Sequence, residues 1–188
     1  MNNLMIDIET LGTKPGSVIA SIGAVFFNPA TGETGAEFEV LISVEASKKL
    51  GLTTDAATVA WWDKQSKNAQ QQLQGSLSPE LAMDDFLQFV ISHCERDKVK
   101  AWGNGASFDP VLIEAAFDKC NQRYEVSVEA PFKYWNIRDV RTLVDLGREI
   151  GFDPKRDMPF DGVPHSALAD AKHQAKYVSA IWQALLGR

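Results

Sequence analysis

Cysteine is scarce in this chain of 188 residues, which carries only Cys94 and Cys120. Their spacing matches neither a zinc site nor a disulfide framework, so both thiols are expected to be reduced and to fill space. Positive charge is also in short supply. Against 25 Asp and Glu stand 19 Lys and Arg, and the formal net charge is −6. That balance argues against a protein coated in basic residues to hold duplex nucleic acid. It leaves room for an enzyme acting on nucleic acid, because divalent cations held by a few of the acids would reverse the local field. No apolar run is long enough to span a bilayer, and no basic-then-apolar segment opens the chain. A cytoplasmic protein without membrane association is therefore expected. Repeats and low-complexity tracts are absent too.

What is present is globular: 45% hydrophobic and 23% charged residues suit one domain, 1–188, with a sizeable core. The apolar stretch Leu4–Gly12 predicts a first strand, Val18–Phe27 a second and Glu37–Ile42 a third, with hairpin chemistry at 28–35. Helices are predicted over Asp55–Leu73, from Pro79 to about His93 with Ser78 as cap, over Pro110–Cys120, Arg138–Ile150 and Ala167–Leu186. Short strands are expected at Lys98–Trp102, followed by a tight turn at 103–107, and at Tyr134–Ile137. The stretch Gly151–Ser166, rich in Pro, Gly and Asp, is predicted to be a long loop of functional length. The fold class is thus α/β, with a mixed five-stranded sheet flanked by helices.

The first strand carries the anomaly. Side chains alternate with period two, so Leu4, Ile6 and Ile8 share one face while Asp7 and Glu9 share the other. Two parallel carboxylates on a buried strand repel each other and lose hydration; a cation is the ready remedy. Three further positions fit that pair. Asp109 follows the turn after the fourth strand, at the edge where open α/β sheets bind ligands. His165 ends the long loop, and Asp170 lies in the first turn of the last helix. Taken singly these are ordinary: Asp109 and Asp170 as acids complementing a helix dipole, His165 as a loop histidine.

Taken together they resemble the DEDD superfamily of 3′–5′ exonucleases in its histidine-bearing (DEDDh) branch. Asp7-Ile8-Glu9-Thr10 matches its D-x-E-T signature, Asn104 to Asp109 its N-x-x-x-F-D, and His165 to Asp170 its H-x-x-x-x-D. The layout, with Trp61-Trp62 and Arg138-Asp139-Val140-Arg141-Thr142-Leu143, is most similar to a phage and prophage group related to exonuclease VIII and to bacterial exoribonucleases. This resemblance implies an RNase H-like fold. It also implies two Mg²⁺ or Mn²⁺ ions, bridged by Asp7, with Glu9 and Asp170 completing one site and Asp109 supporting the other. Such hard cations suit oxygen ligands, and a pair of them suits phosphodiester hydrolysis. His165 would be the general base, a role for which histidine's intrinsic pKa is suited.

By the same resemblance the terminal nucleotide would lie on Thr10, Leu11 and Gly12, with Leu11 against its base and Asn104 and Phe108 beside the next nucleotide. The expected substrate is the 3′ end of single-stranded nucleic acid, DNA before RNA, and a homodimer is among the assemblies left open. An exoribonuclease with the same site is the runner-up reading, and a catalytically silent nucleic-acid-binding module stands behind it. Of Trp61 and Trp62, which point about 100° apart on a helix, one is expected in the core. The other is expected at a partner surface, or less often under a base. Lys133, Arg138 and Arg141 are either a phosphate-tracking patch or solvated surface. His93 suits a helix C-terminus, and His173 suits a helix surface.

Overall fold

The computed structural model describes residues 1–187. Strands β1 (Asn3–Thr10), β2 (Ile19–Phe27) and β3 (Thr34–Leu41) form an antiparallel meander, as their hairpin chemistry predicts. Helices α1 (Val44–Lys49), α2 (Ala56–Trp62), α3 (Lys67–Gln70) and α4 (Pro79–His93) follow. Strand β4 (Lys100–Gly103), helix α5 (Asp109–Tyr124), strand β5 (Ile137–Asp139) and helix α6 (Val140–Glu149) come next. The short α7 (Pro154–Asp157) and the long α8 (Ala167–Leu185) close the chain. Sheet order is β3-β2-β1-β4-β5, with β4 and β5 parallel to β1. The sheet is mixed and five-stranded, as expected.

Strand alternation sets the two faces. Leu4, Ile6 and Ile8 pack with Phe86 and Val90 of α4 and with Leu112, Ile113 and Phe117 of α5. On the opposite face Met5, Val25, Phe27 and Trp102 pack with Leu143 and Val144 of α6 and with Ala171, Val178 and Ile181 of α8. A smaller cluster of Leu11, Val18, Leu52 and Trp62 lies under α2. Among the described residues no helix is long and apolar enough to cross a membrane.

Several boundaries differ from the sequence-based expectation. The single helix over Asp55–Leu73 is broken after Trp62. Ser66 caps a new helix by accepting from the Ala69 amide at 3.1 Å, and Gln70 Nε2 donates to the Trp62 and Gln65 carbonyls that a continuous helix would have bonded internally. Helix α1, capped by Ser43, has too short an apolar repeat to predict. Residues Tyr134–Asn136 form a single 3₁₀ turn instead of a strand. Strand pairing starts at Ile137, and Asp139 caps α6 by accepting from the Arg141 amide. The long loop contains α7, started by Pro154.

One glycine determines where α8 sits. Gly23 pairs with Asp7 across β1 and β2, and a Cβ there would collide with the backbone of Ala167 and Leu168. The first turn of α8 therefore rests directly on β2. Its Ala167 amide donates to Gln72 Oε1 at 3.4 Å. Gly23→Ala is expected to destabilise the fold by about 1–3 kcal/mol, the usual range for overpacking, as read by urea denaturation. An unchanged midpoint would mean that α8 shifts freely.

Candidate active site

Asp7 and Glu9 project from β1 towards the α8 side of the sheet. Because α8 starts over Gly23, Asp170 in its first turn meets them. Asp109 opens α5 just beyond the end of β4, where its Oδ2 accepts from the Asn104 amide at 3.0 Å and closes the turn. Gly103 makes that turn fit: a Cβ would stand 2.8 Å from Asp109 Oδ2 and 2.9 Å from Pro110 Cδ. All four carboxylates line one cleft of about 290 Å³, together with His165, Asn104 and Phe108. Seven of the ten residues expected to form the site are thus brought together. A larger cavity of about 400 Å³ beside Arg96 and Trp135 is lined by charges of both signs, and its cations are held in the Arg96–Glu129 and Lys133–Glu129 pairs. What distinguishes the smaller cleft is convergent like charge, not size.

That convergence is visible in the acidities. Burial raises the Asp7 carboxyl well above its ordinary range, and the charges of Asp109, Glu9 and Asp170 raise it further. Asp7 keeps some contact with solvent through the cleft, but protein crowds its carboxylate closely enough for burial to dominate. Glu9 is pushed up to about 8, by burial first and then by Asp170 and Asp109. Asp109 is pushed up to about 7 by burial, opposed by the backbone amides of Asp109, Ile8 and Asn104 and by Arg141. Burial also raises Asp170, against the His165 and Ser166 amides. A metal-free cleft therefore holds protons that a bound cation would displace.

The donors suit a hard cation. One ligand atom each from Glu9, His165 and Asp170 lies within 4.8 Å of the others. Asp170 Oδ2 is buried without a hydrogen-bond partner. His165 holds a left-handed backbone, φ 64°, uncommon for a residue with a Cβ, and two tryptophans seat its ring. Trp61 meets it edge to face at a centroid distance of 4.9 Å, and Trp62 stands 6.3 Å away. Trp62 is core, 2% exposed, and donates Nε1–H to the Thr10 carbonyl at 2.8 Å. Trp61, 43% exposed, is neither core nor an isolated surface ring but a neighbour of His165.

Thr10, Leu11 and Gly12, expected to receive the terminal nucleotide, do not line the cleft. Leu11 is 5% exposed, packed against Val18 and Trp62. Its amide donates to Val18 O, its carbonyl accepts from the Asp55 amide, and Thr10 Oγ1 donates to Gly12 O. The polar groups of this turn are largely engaged within the fold, so only the rim of the segment faces outward. Of the three basic residues weighed as a phosphate patch, only Arg141 reaches the cleft, its Nε donating to Asn104 Oδ1 at 3.4 Å. Lys133 pairs with Glu129, and Arg138 donates to the Trp135 and Ile137 carbonyls.

Gln174, which lines the cleft and donates to Asp7, escaped the sequence reading. Its place four residues after Asp170, hence on the same helix face, was the available signal. His173 faces elsewhere, against Phe160 and Tyr177.

Comparison with known proteins bears on the family and the fold. Residues 2–182 match the family model described as the 3′-5′ exoribonuclease Rv2179c-like domain. The chain is 27% identical over 192 residues to the exodeoxyribonuclease of enterobacteria phage T4, a match covering 90% of this chain and 84% of that protein. Among solved structures it is similar to the nuclease domain of 3′hExo, a DEDDh family member bound to rAMP, with TM-score 0.55 and 15% identity, over 98% of this chain and 92% of that one. It is also similar to S. pombe Pop2p in its Mg²⁺- and Mn²⁺-bound form, with TM-score 0.60 and 12% identity, over 98% and 84%. At these identities the solved structures speak for the fold, which is RNase H-like. The family match, extending over nearly the whole chain, makes this protein a member of the Rv2179c-like group of DEDDh 3′–5′ exonucleases, enzymes that hydrolyse phosphodiester bonds.

Proposed function

We propose that residues 1–188 act in the cytoplasm as a single exonuclease domain that releases 5′-mononucleotides from the 3′ ends of single-stranded DNA. The observation that carries this reading is the meeting of Asp7, Glu9, Asp109 and Asp170 with His165 in one cleft. Asp7, Glu9, Asp109 and Asp170 would hold two Mg²⁺ or Mn²⁺ ions. Bound there, the ions would polarise the scissile phosphate, acidify the attacking water and stabilise the leaving 3′ oxygen.

The chain's own groups do the rest. His165 accepts the proton of the attacking water at the ring nitrogen that lies near Glu9 and Asp170. Trp61 and Trp62 hold that ring in place. Arg141, exposed beside Asn104, supplies the cation that steers a phosphate into an otherwise acidic cleft. Asn104 and Phe108 flank the nucleotide before the scissile bond, and the rim of Thr10-Leu11-Gly12 receives the terminal one.

The preference for DNA is supported by the full-length likeness to the phage exodeoxyribonuclease. The family description favours a second reading, an exoribonuclease using the same site. Matched end-labelled DNA and RNA oligonucleotides, digested with Mg²⁺ or Mn²⁺ and resolved as a ladder, test both. Stepwise shortening from the 3′ end, blocked by a 3′-phosphate and faster on DNA, is expected. Tenfold faster digestion of RNA would reverse the substrate choice, and cleavage of circular single-stranded DNA would overturn the exonuclease polarity.

A further inference from the structure

Asp7 sits among three other acids, and among the described residues a single side chain donates to its carboxylate. Gln174 Nε2 reaches Asp7 Oδ1 at 2.7 Å. Gln174 is 4% exposed, and its Oε1 is buried with no partner. An unpaired buried carbonyl of this kind costs about 1–3 kcal/mol. A residue present only to fill space between α8 and β1 would be better served by Leu or Met, which carry no such penalty. Unsatisfied buried groups of this kind call for a functional explanation.

The chemistry of the location narrows the residue type. Glu would add a fifth acid to the cleft. Lys or Arg would bring the counter-charge themselves and occupy the place of a cation. Leu would leave Asp7 Oδ1 without a donor. A neutral amide long enough to cross from α8 to β1 satisfies all three conditions. Because Gln174 lies one turn beyond Asp170, a single helix face supplies one candidate ligand and also grips another on β1.

We propose that Gln174 is the positioning residue for Asp7. By occupying one lone pair of Oδ1 it holds the carboxylate in a single orientation, with its remaining lone pairs directed into the cleft for cations. This rests on the cation-binding reading above. Outer-shell partners of metal ligands act in this way, and their loss typically weakens metal binding about 10- to 100-fold.

The test is calorimetric titration of Mn²⁺ into the wild type, Gln174→Met and Gln174→Asn. Met preserves the packing volume without the donor, and Asn keeps the amide but ends one methylene short. Both variants are expected to bind Mn²⁺ about 10- to 100-fold more weakly. Their exonuclease activity should need correspondingly more Mn²⁺, with the rate at saturating metal largely restored. Chelator-treated Gln174→Met should unfold no earlier than wild type. If one variant fails to fold, the other carries the measurement. Wild-type affinity in a folded variant overturns the proposal, and so does lost stability in chelator with affinity unchanged, which would assign Gln174 to packing. A wild type that binds no Mn²⁺ would sink the cation reading itself, a distinct outcome.

Discussion

Asp7→Asn is expected to lose its activity and nearly all of its Mn²⁺-dependent thermal shift, while melting no lower than wild type in chelator. The reason is the crowding of acids in the metal-free cleft, where burial and three neighbouring charges raise Asp7. Asparagine is neutral without having to bind a proton, so it relieves this crowding, and it can still accept from Gln174 Nε2. Metal bound only by the folded wild type would add about 2.7 kcal/mol at a hundredfold excess over Kd. For a domain of this size that amounts to roughly 5–10 °C in Tm. The variant lacks one of the four carboxylates that would hold the cations and should shift little. Equal shifts in both proteins would place the cation elsewhere.

The same experiment has a pH dependence of definite sign. Glu9 has a carboxyl raised from 4.5 to about 8 in the folded protein, and Asp109 one raised from 3.8 to about 7. Between those limits the folded state binds more protons than the unfolded state, so this contribution to stability is full below the lower values. It is lost as pH rises through the upper ones. A bound cation removes that loss by taking the protons' place. The difference between the Mn²⁺ and chelator melts should therefore widen from pH 5.5 to pH 8. A difference that stays flat or narrows would mean that Glu9 and Asp109 do not face the cation.

His165→Ala is the second large effect. Loss of a general base typically slows catalysis about 10²- to 10⁴-fold, and that fall in rate is expected with the Mn²⁺ thermal shift intact. The pairing of readouts matters because a His165 ring nitrogen lies as near Glu9 and Asp170 as a third ligand would. If both rate and thermal shift are lost, His165 is a ligand and not the base. His173 offers no substitute. Its ring is packed between Phe160 and Tyr177, and its Nδ1 is buried without a partner. Near-wild-type turnover in His165→Ala would therefore leave the water's proton to another group in the cleft.

The sequence alone determined whatever depends on local period and spacing. Alternation along Leu4–Glu9 places Asp7 and Glu9 on one face of a strand, and the structure keeps them there because the other face is packed with Phe86, Val90 and Ile113. The order of the three signatures, with Asp109 and Asp170 at helix starts, survives for the same reason: caps and first turns are written in a few adjacent residues. Tertiary structure decided what depends on partners distant in sequence. Asp55–Leu73 breaks because Gln70 and Ser66 satisfy backbone groups that local propensity cannot anticipate. Leu11 is buried because residues seven and fifty-one positions on, Val18 and Trp62, close over it. Trp61 meets His165 only because the loop before α8 returns to α2, and Gln174 meets Asp7 only because Gly23 lets α8 rest on the sheet. The first pair is 104 residues apart in sequence and the second 167, so no sequence window contains both sides of either contact.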